Sequence, residues 1–173
     1  MDPDTVFRLL EALGQRARGA GGIYLTGGAT ALLLGWRTST HDVDIKLDPE
    51  PAGVFEAIAA LKYELSVNVE LASPDLFIPE LTGWRERSLF VGAFGPLQVF
   101  HYDLRAQALA KLARGLDRDR SDVRAMLDRE LLTRDDLRDA FEGIRSRLIR
   151  FPRLDAERLA EAVTWACDQG GAA

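Results

Sequence analysis

The sequence predicts an α+β fold, a small β-sheet flanked by helices and continued by a C-terminal helical extension. Residues 42–47 and 65–71 place apolar side chains at every second position, the pattern of half-buried strands. The segments around them repeat apolar residues at helical spacing, and residues 103–173 read as helices throughout. A length of 173 residues suits one domain, or one core with an extension. We divide the chain into a core at 1–102 and a helical extension at 103–173 packed on it as a single structural unit.

Taken in order, Val6, Leu9, Leu10 and Leu13 mark an amphipathic helix over residues 4–18, ended by the glycines that follow. Ile23, Tyr24, Leu25 and Thr26 read as a short buried strand, and residues 29–34 as a buried helix ended by Gly35. After the strand at 42–47, Pro51 suits the first turn of a helix in which Val54, Phe55, Ile58 and Leu61 pack inward. The next strand, 65–71, carries Leu65, Val67, Val69 and Leu71 on one face and Ser66, Asn68 and Glu70 on the other. Residues 72–87 contain Pro74, Pro79 and large apolar residues such as Ile78 and Trp84. They read as a long ordered loop, packed over a sheet edge or closing as a lid. Residues 88–91 and 97–101 form a hairpin around Gly92 and Gly95-Pro96. Asp103 caps a helix over 104–114, which ends at Gly115. A second helix covers 119–129, and Thr133 and Asp136 resemble a capping box before a third. Asp155 caps the last helix, which runs through Gln169.

Chemistry concentrates in residues 24–47. Strand alternation puts Asp42 and Asp44 on one face, with Val43 and Ile45 on the opposite, core side. Like charges so close repel unless a cation or proton sits between them. Mg²⁺ (or Mn²⁺) suits the pair, because such an ion binds one or two carboxylates and keeps room for water and substrate phosphates. Gly27 and Gly28 lie where strand turns into helix, which permits unusual backbone angles and close approach of a phosphate. Alone, an Asp-x-Asp is an ordinary polar strand face and a Gly-Gly pair an ordinary tight turn. Only thirteen residues separate Gly28 from Asp42, and the combination points to a nucleoside triphosphate. No Lys follows the glycines, so the turn is neither a Walker A loop nor a G-x-G-x-x-G fingerprint.

This arrangement resembles the signature of the DNA polymerase β-like nucleotidyltransferase superfamily: Gly-Gly, a short helix, then acid–apolar–acid. Arg37-Thr38 and Thr40 ahead of Asp42 resemble the Arg-Thr-x-Thr-x-Asp-apolar-Asp form of the AbiEii-type toxin nucleotidyltransferases and related bacterial families. A second patch is similar to their downstream element: Lys111-Leu112-Ala113-Arg114, then Arg118-Asp119-Arg120-Ser121-Asp122-Val123. The resemblance spans residues 20–128.

It implies a mixed-sheet core and two metal ions held by three acids, which join an incoming nucleotide to an acceptor hydroxyl. Asp42 and Asp44 match the first two acids. Glu70 is the third if its strand lies beside theirs with polar faces aligned; Asp103 is the next choice and Asp122 another. Gly27 and Gly28 would hold the triphosphate through backbone N–H groups, beside Thr40. Arg37 could fork a phosphate, and Lys111 could neutralise pyrophosphate or hold Asp122. His41 is read as flanking. The acceptor implied is an RNA end such as that of tRNA, a protein or a small molecule, in a toxin–antitoxin or phage-defence setting with a cognate protein partner. The rival reading is a catalytically inactive member that serves as an interaction module or antitoxin.

Charge sharpens the division. Of 22 Lys/Arg and 27 Asp/Glu, residues 101–173 hold 14 of each, so residues 1–100 carry 8 and 13 and hold the whole acid excess. An acid-rich half suits a metal site and argues against a nonspecific nucleic-acid binder with a dominant basic face. Cys167 is the single cysteine, which excludes an internal disulfide and suggests a reducing compartment. No zinc-type Cys/His spacing, signal peptide or membrane-length apolar run is present, so a cytoplasmic protein without membrane association is expected.

Overall fold

A computed structural model describes residues 1–168. The chain forms two compact units, one of Met1–Ser73 with Ser88–Tyr102, the other of Pro74–Arg87 with the described residues from Asp103 onward. The first unit is built on a five-stranded sheet of β1 (Gly21–Thr26), β2 (Asp42–Leu47), β3 (Asn68–Leu71), β4 (Leu89–Phe94) and β5 (Leu97–His101). Its order is β3-β2-β1-β5-β4. Strand β1 runs antiparallel to β2 and parallel to β5; β2 and β3 are parallel, and β4 and β5 form an antiparallel hairpin. The sheet is thus mixed and flanked by helices, as the α+β expectation requires.

Three helices cover one face of this sheet: α1 (Pro3–Arg16), α2 (Gly27–Leu33) and α3 (Val54–Glu64). Val6, Leu9, Leu10 and Leu13 of α1 and Val54, Ile58 and Leu61 of α3 meet Ile23, Leu25, Val43, Ile45 and Val99 in one core. Each fully buried aliphatic side chain contributes about 1.5–3 kcal/mol. Because successive strand residues point to opposite faces, burying Val43 and Ile45 sends Asp42, Asp44 and Lys46 to the other side.

Three expectations need correction, the first being that Phe55 packs inward: it is 54% exposed, and Val54, Ile58 and Leu61 alone of the four face the core. Pro51 does not enter α3; the helix starts at Val54 with Gly53 as N-cap, and the Pro51 carbonyl accepts the Val54 N–H at 3.3 Å. Strand β3 is shorter than the 65–71 alternation predicts. Leu65 still caps α3, its N–H donating to the Leu61 carbonyl, and the chain reverses at Ser66 with φ +52°. Val67 and Val69 remain buried, so the alternation was sound about faces and wrong about the strand's start. Gly92 lies within β4 at a register irregularity, and the hairpin turns at Gly95-Pro96.

The second unit contains a 3-10 turn at Pro74–Leu76 and helices α4 (Trp84–Arg87), α5 (Leu104–Arg114), α6 (Asp117–Asp128), α7 (Arg134–Arg145) and α8 (Ala156–Asp168). Its helix starts follow the expected capping chemistry. Asp103 Oδ1 accepts the Arg105 N–H at 3.0 Å, Asp155 Oδ1 accepts that of Arg158 at 3.0 Å, and Thr133 and Asp136 cap each other's backbone. Gln169 lies outside the described residues. Residues 74–87 are ordered, as expected, but carry a 3-10 turn and the short α4; Ile78, Leu81 and Trp84 are buried, and the turn packs on α5. Cys167 is buried too, and burial pushes its thiol pKa up, consistent with a packing residue. Among the described residues no helix is long and apolar enough to cross a membrane.

Candidate functional site

The site is built where β1 hands over to α2. Thr26 ends the strand and Gly27 begins the helix with φ +57°, in the left-handed region that favours glycine. A Cβ on Gly27 would fall on Asp44 Oδ2, and one on Gly28 would fall on Thr40 Oγ1, with Arg37 Nη1 3.8 Å away. Contact therefore demands both glycines, and conformation demands Gly27 as well. Thr40 is buried and its Oγ1 donates to the Asp42 carbonyl at 2.9 Å, which ties the loop to the first acid of β2.

The sheet register assembles the rest. Asp44 stands opposite Thr26 on one side and Glu70 on the other, and Asp42 stands opposite Asn68. The Glu70 strand therefore neighbours the Asp42–Asp44 strand with polar faces aligned. Between Asp42 and Glu70 sits the Asn68 amide, donating to Asp42 Oδ1 at 2.9 Å and to Glu70 Oε1 at 2.8 Å. Among the described residues, no group of three or more His, Cys, Asp or Glu is placed to hold a metal ion. Asp42, Asp44 and Glu70 nonetheless present only carboxylate oxygens, the donor chemistry of Mg²⁺ or Mn²⁺. The acids lie on an otherwise aromatic face, where Tyr24 stacks on Phe100 at 5.2 Å and Lys46 Nζ lies 6.0 Å from the centre of the Tyr102 ring.

A protein-family model described as a nucleotidyltransferase of unknown function (DUF6036) matches residues 5–149. The chain belongs to this family. No curated protein and no solved structure matches it. The matched stretch of this nucleotidyltransferase-family member includes every residue of the Gly27–Asp44 cluster, both strands that align Asp44 with Glu70, and α5 through α7.

Behind the turn, the DUF6036 member anchors α2 with a buried polar pair. Thr30 Oγ1 donates to the Leu25 carbonyl at 3.0 Å and lies 3.2 Å from His101 Nδ1. A hydroxyl offers one hydrogen and two lone pairs, so Thr30 can serve the Leu25 carbonyl and the His101 ring together. Burial lowers the His101 pKa to about 4 and keeps the ring neutral. Sequence reading passed over His101 and Thr30 in this role, and used Asn68 only to define a polar strand face. The period-two pattern of β3 did carry the signal for Asn68, two residues from Glu70.

The remaining sequence-derived residues lie in the helical unit. Asp103 caps α5 through Oδ1, while its Oδ2 takes Arg87 Nη2 at 2.7 Å and Nε at 3.0 Å. Lys111 Nζ donates to Asp122 Oδ2 at 2.6 Å and lies 3.8 Å from Asp119 Oδ1. Arg114 Nη2 meets Asp119 Oδ1 at 2.6 Å. The downstream element thus acquires a physical meaning. Lys111 projects from α5 between two acids one helical turn apart on α6, and the buried charges join the two helices.

Proposed function

We propose that this member of a nucleotidyltransferase family transfers a nucleotide from a nucleoside triphosphate to an acceptor hydroxyl. The observation that carries the reading is the convergence of Gly27, Gly28, Arg37 and Thr40 on the strand that bears Asp42 and Asp44. Backbone N–H groups at Gly27-Gly28 would receive the triphosphate, and Arg37 would fork one of its phosphates. Asp42 and Asp44, with Glu70 beside them, are the residues that would hold Mg²⁺ or Mn²⁺. A bound divalent cation would supply neutralising charge to the phosphates and orient them. As the acceptor oxygen bonds to the α-phosphorus, the bond to pyrophosphate breaks. Such transfer is driven mainly by positioning and charge. Lys111 is assigned to hold Asp122 rather than pyrophosphate, since its ammonium is spent there. The Arg37–Asp44 and Lys111–Asp122 elements, which resemble the AbiEii-type toxins, support an RNA end as acceptor and a toxin–antitoxin or phage-defence setting.

The Asn68 amide favours a second reading. Its bonds to Asp42 and Glu70 satisfy carboxylates a metal would use, as suits a catalytically silent member that binds a partner protein. Two measurements separate the two readings. An Asp42→Asn, Asp44→Asn double variant should keep its melting temperature and lose transfer of label from α-labelled triphosphate to cell RNA or protein. Wild-type protein that shows no Mg²⁺-dependent triphosphate binding by calorimetry would instead establish the silent reading.

A further inference from the structure

The helical unit contains a cavity of about 470 Å³ between the 3-10 turn at Pro74–Leu76, the end of α5 and residues 150–154. That volume lies in the range of small-ligand sites, roughly 300–1,000 Å³. Its walls combine apolar and cationic groups: Phe77, Phe151 and Leu154 with Arg114, Arg150 and Arg153. Among the described residues no carboxylate lines it. In a chain of net charge −5 this is a local reversal of sign. Asp119 holds the Arg114 guanidinium at 2.6 and 3.1 Å, and its Cζ lies 5.9 Å from the centre of the Phe77 ring. That ring is 41% exposed. Arg150 and Arg153 are exposed and make no ion pair among the described residues.

We infer that this cavity binds a nucleotide, its base stacked on Phe77 and its phosphate held by Arg150 and Arg153. Three observations select that chemistry. Unopposed guanidinium groups favour an anion, and their planar forks match phosphate. The exposed ring offers the stacking platform that nucleic-acid sites use for bases. The apolar walls are more than a bare phosphate would need. The inference does not depend on the transfer reaction at Gly27–Asp44. A free mononucleotide and a residue of single-stranded RNA present the same chemistry, and the test separates them.

The full chain is titrated with labelled adenosine hexanucleotide RNA, with 5′-AMP and with inorganic phosphate at several salt concentrations. Wild-type protein should bind the nucleotide probes better than phosphate. An Arg150→Ala, Arg153→Ala double variant should bind the RNA at least tenfold more weakly, and its log–log salt slope should flatten by about 0.7 per lost contact. Phe77→Ala should weaken AMP but not phosphate. A hexamer that binds tenfold tighter than AMP assigns the site to a strand; equal affinities assign it to the mononucleotide. Because both arginines are exposed, circular dichroism of the double variant should match wild type. Binding of AMP should survive Asp42→Asn, Asp44→Asn, so that failure of one site does not mimic failure of the other. The inference is overturned if neither nucleotide probe binds, if the arginine variant binds them as well as wild type, or if phosphate competes as effectively as AMP.

Discussion

Replacing Lys111 with methionine removes one cation from the joint between α5 and α6 while keeping most of the side-chain volume. Its ammonium lies 2.6 Å from Asp122 and 3.8 Å from Asp119, and the three side chains are 6%, 4% and 0% exposed. Asp119 keeps Arg114 at 2.6 Å, so Asp122 bears the main loss. Removing one partner of a buried ion pair costs about 3–5 kcal/mol, and the surviving Arg114 contact puts this case near about 3 kcal/mol. For a chain of this size each kcal/mol shifts the midpoint by about 2–4 °C, so Lys111→Met should melt about 6–12 °C below wild type. Thermal and urea unfolding followed by circular dichroism measure this. Adding Asp122→Leu removes the other half of the pair and should recover at least half of the loss, since well-packed apolar replacements of buried pairs are often neutral. The reasoning is refuted if Lys111→Met melts within about 2 °C of wild type while triphosphate affinity collapses. That result would return Lys111 to a phosphate-binding role.

Gly27→Ala forces a left-handed residue, at about 1–2 kcal/mol, and drives a methyl group into the Asp44 carboxylate. Calorimetry should show Mg²⁺-dependent triphosphate binding lost while the fold survives; undiminished binding would remove the turn from the site. Asn68→Ala withdraws the donor shared by Asp42 and Glu70. It should lower stability by about 1 kcal/mol without metal and enlarge the rise in melting temperature on adding Mg²⁺; an unchanged rise would show that the amide does not compete with the cation. His101 is neutral when folded, with its pKa lowered from 6.5 to about 4. The unfolded chain therefore takes up the extra proton, stability is complete above pH 6.5, and about 3 kcal/mol is lost as pH falls toward 4. His101→Gln should flatten that limb of the stability–pH curve, and an unaltered limb would assign the loss to other groups.

Patterns set by a single element were legible in the sequence. Alternation in β2 put Asp42 and Asp44 on one face, and capping chemistry located the starts of α5 and α7. The Gly27–Asp44 cluster was readable because its members are separated by one short helix and one loop. Features that depend on register were less so. Alternation aligned Asn68 with Glu70, but only the parallel pairing of β2 with β3 put the amide between two carboxylates. Leu65 and Ser66 misled because an apolar–polar pair at a helix end is indistinguishable from the first step of a strand. The Lys111–Asp122 element was visible as a motif, yet its burial was not, because charged helical residues ordinarily face water. His101 carried no local signal; its partner Thr30 lies 71 positions earlier.

The division of the chain into units also sets an order of events during synthesis. Strand β5 lies beside β1 in the middle of the sheet, so the first unit cannot close its core until Tyr102 has left the ribosome. By then residues 74–87 have already emerged, carrying Ile78, Leu81 and Trp84 that belong with helices not yet made. At about 5–20 residues per second those helices follow within seconds, and until they do the nascent chain displays this apolar segment between two finished strands. A chaperone that reads exposed aromatic and aliphatic side chains would find its opportunity there. The Arg87–Asp103 pair, which joins the two segments of the helical unit, can form as soon as Asp103 clears the exit, before any helix of the second half is complete.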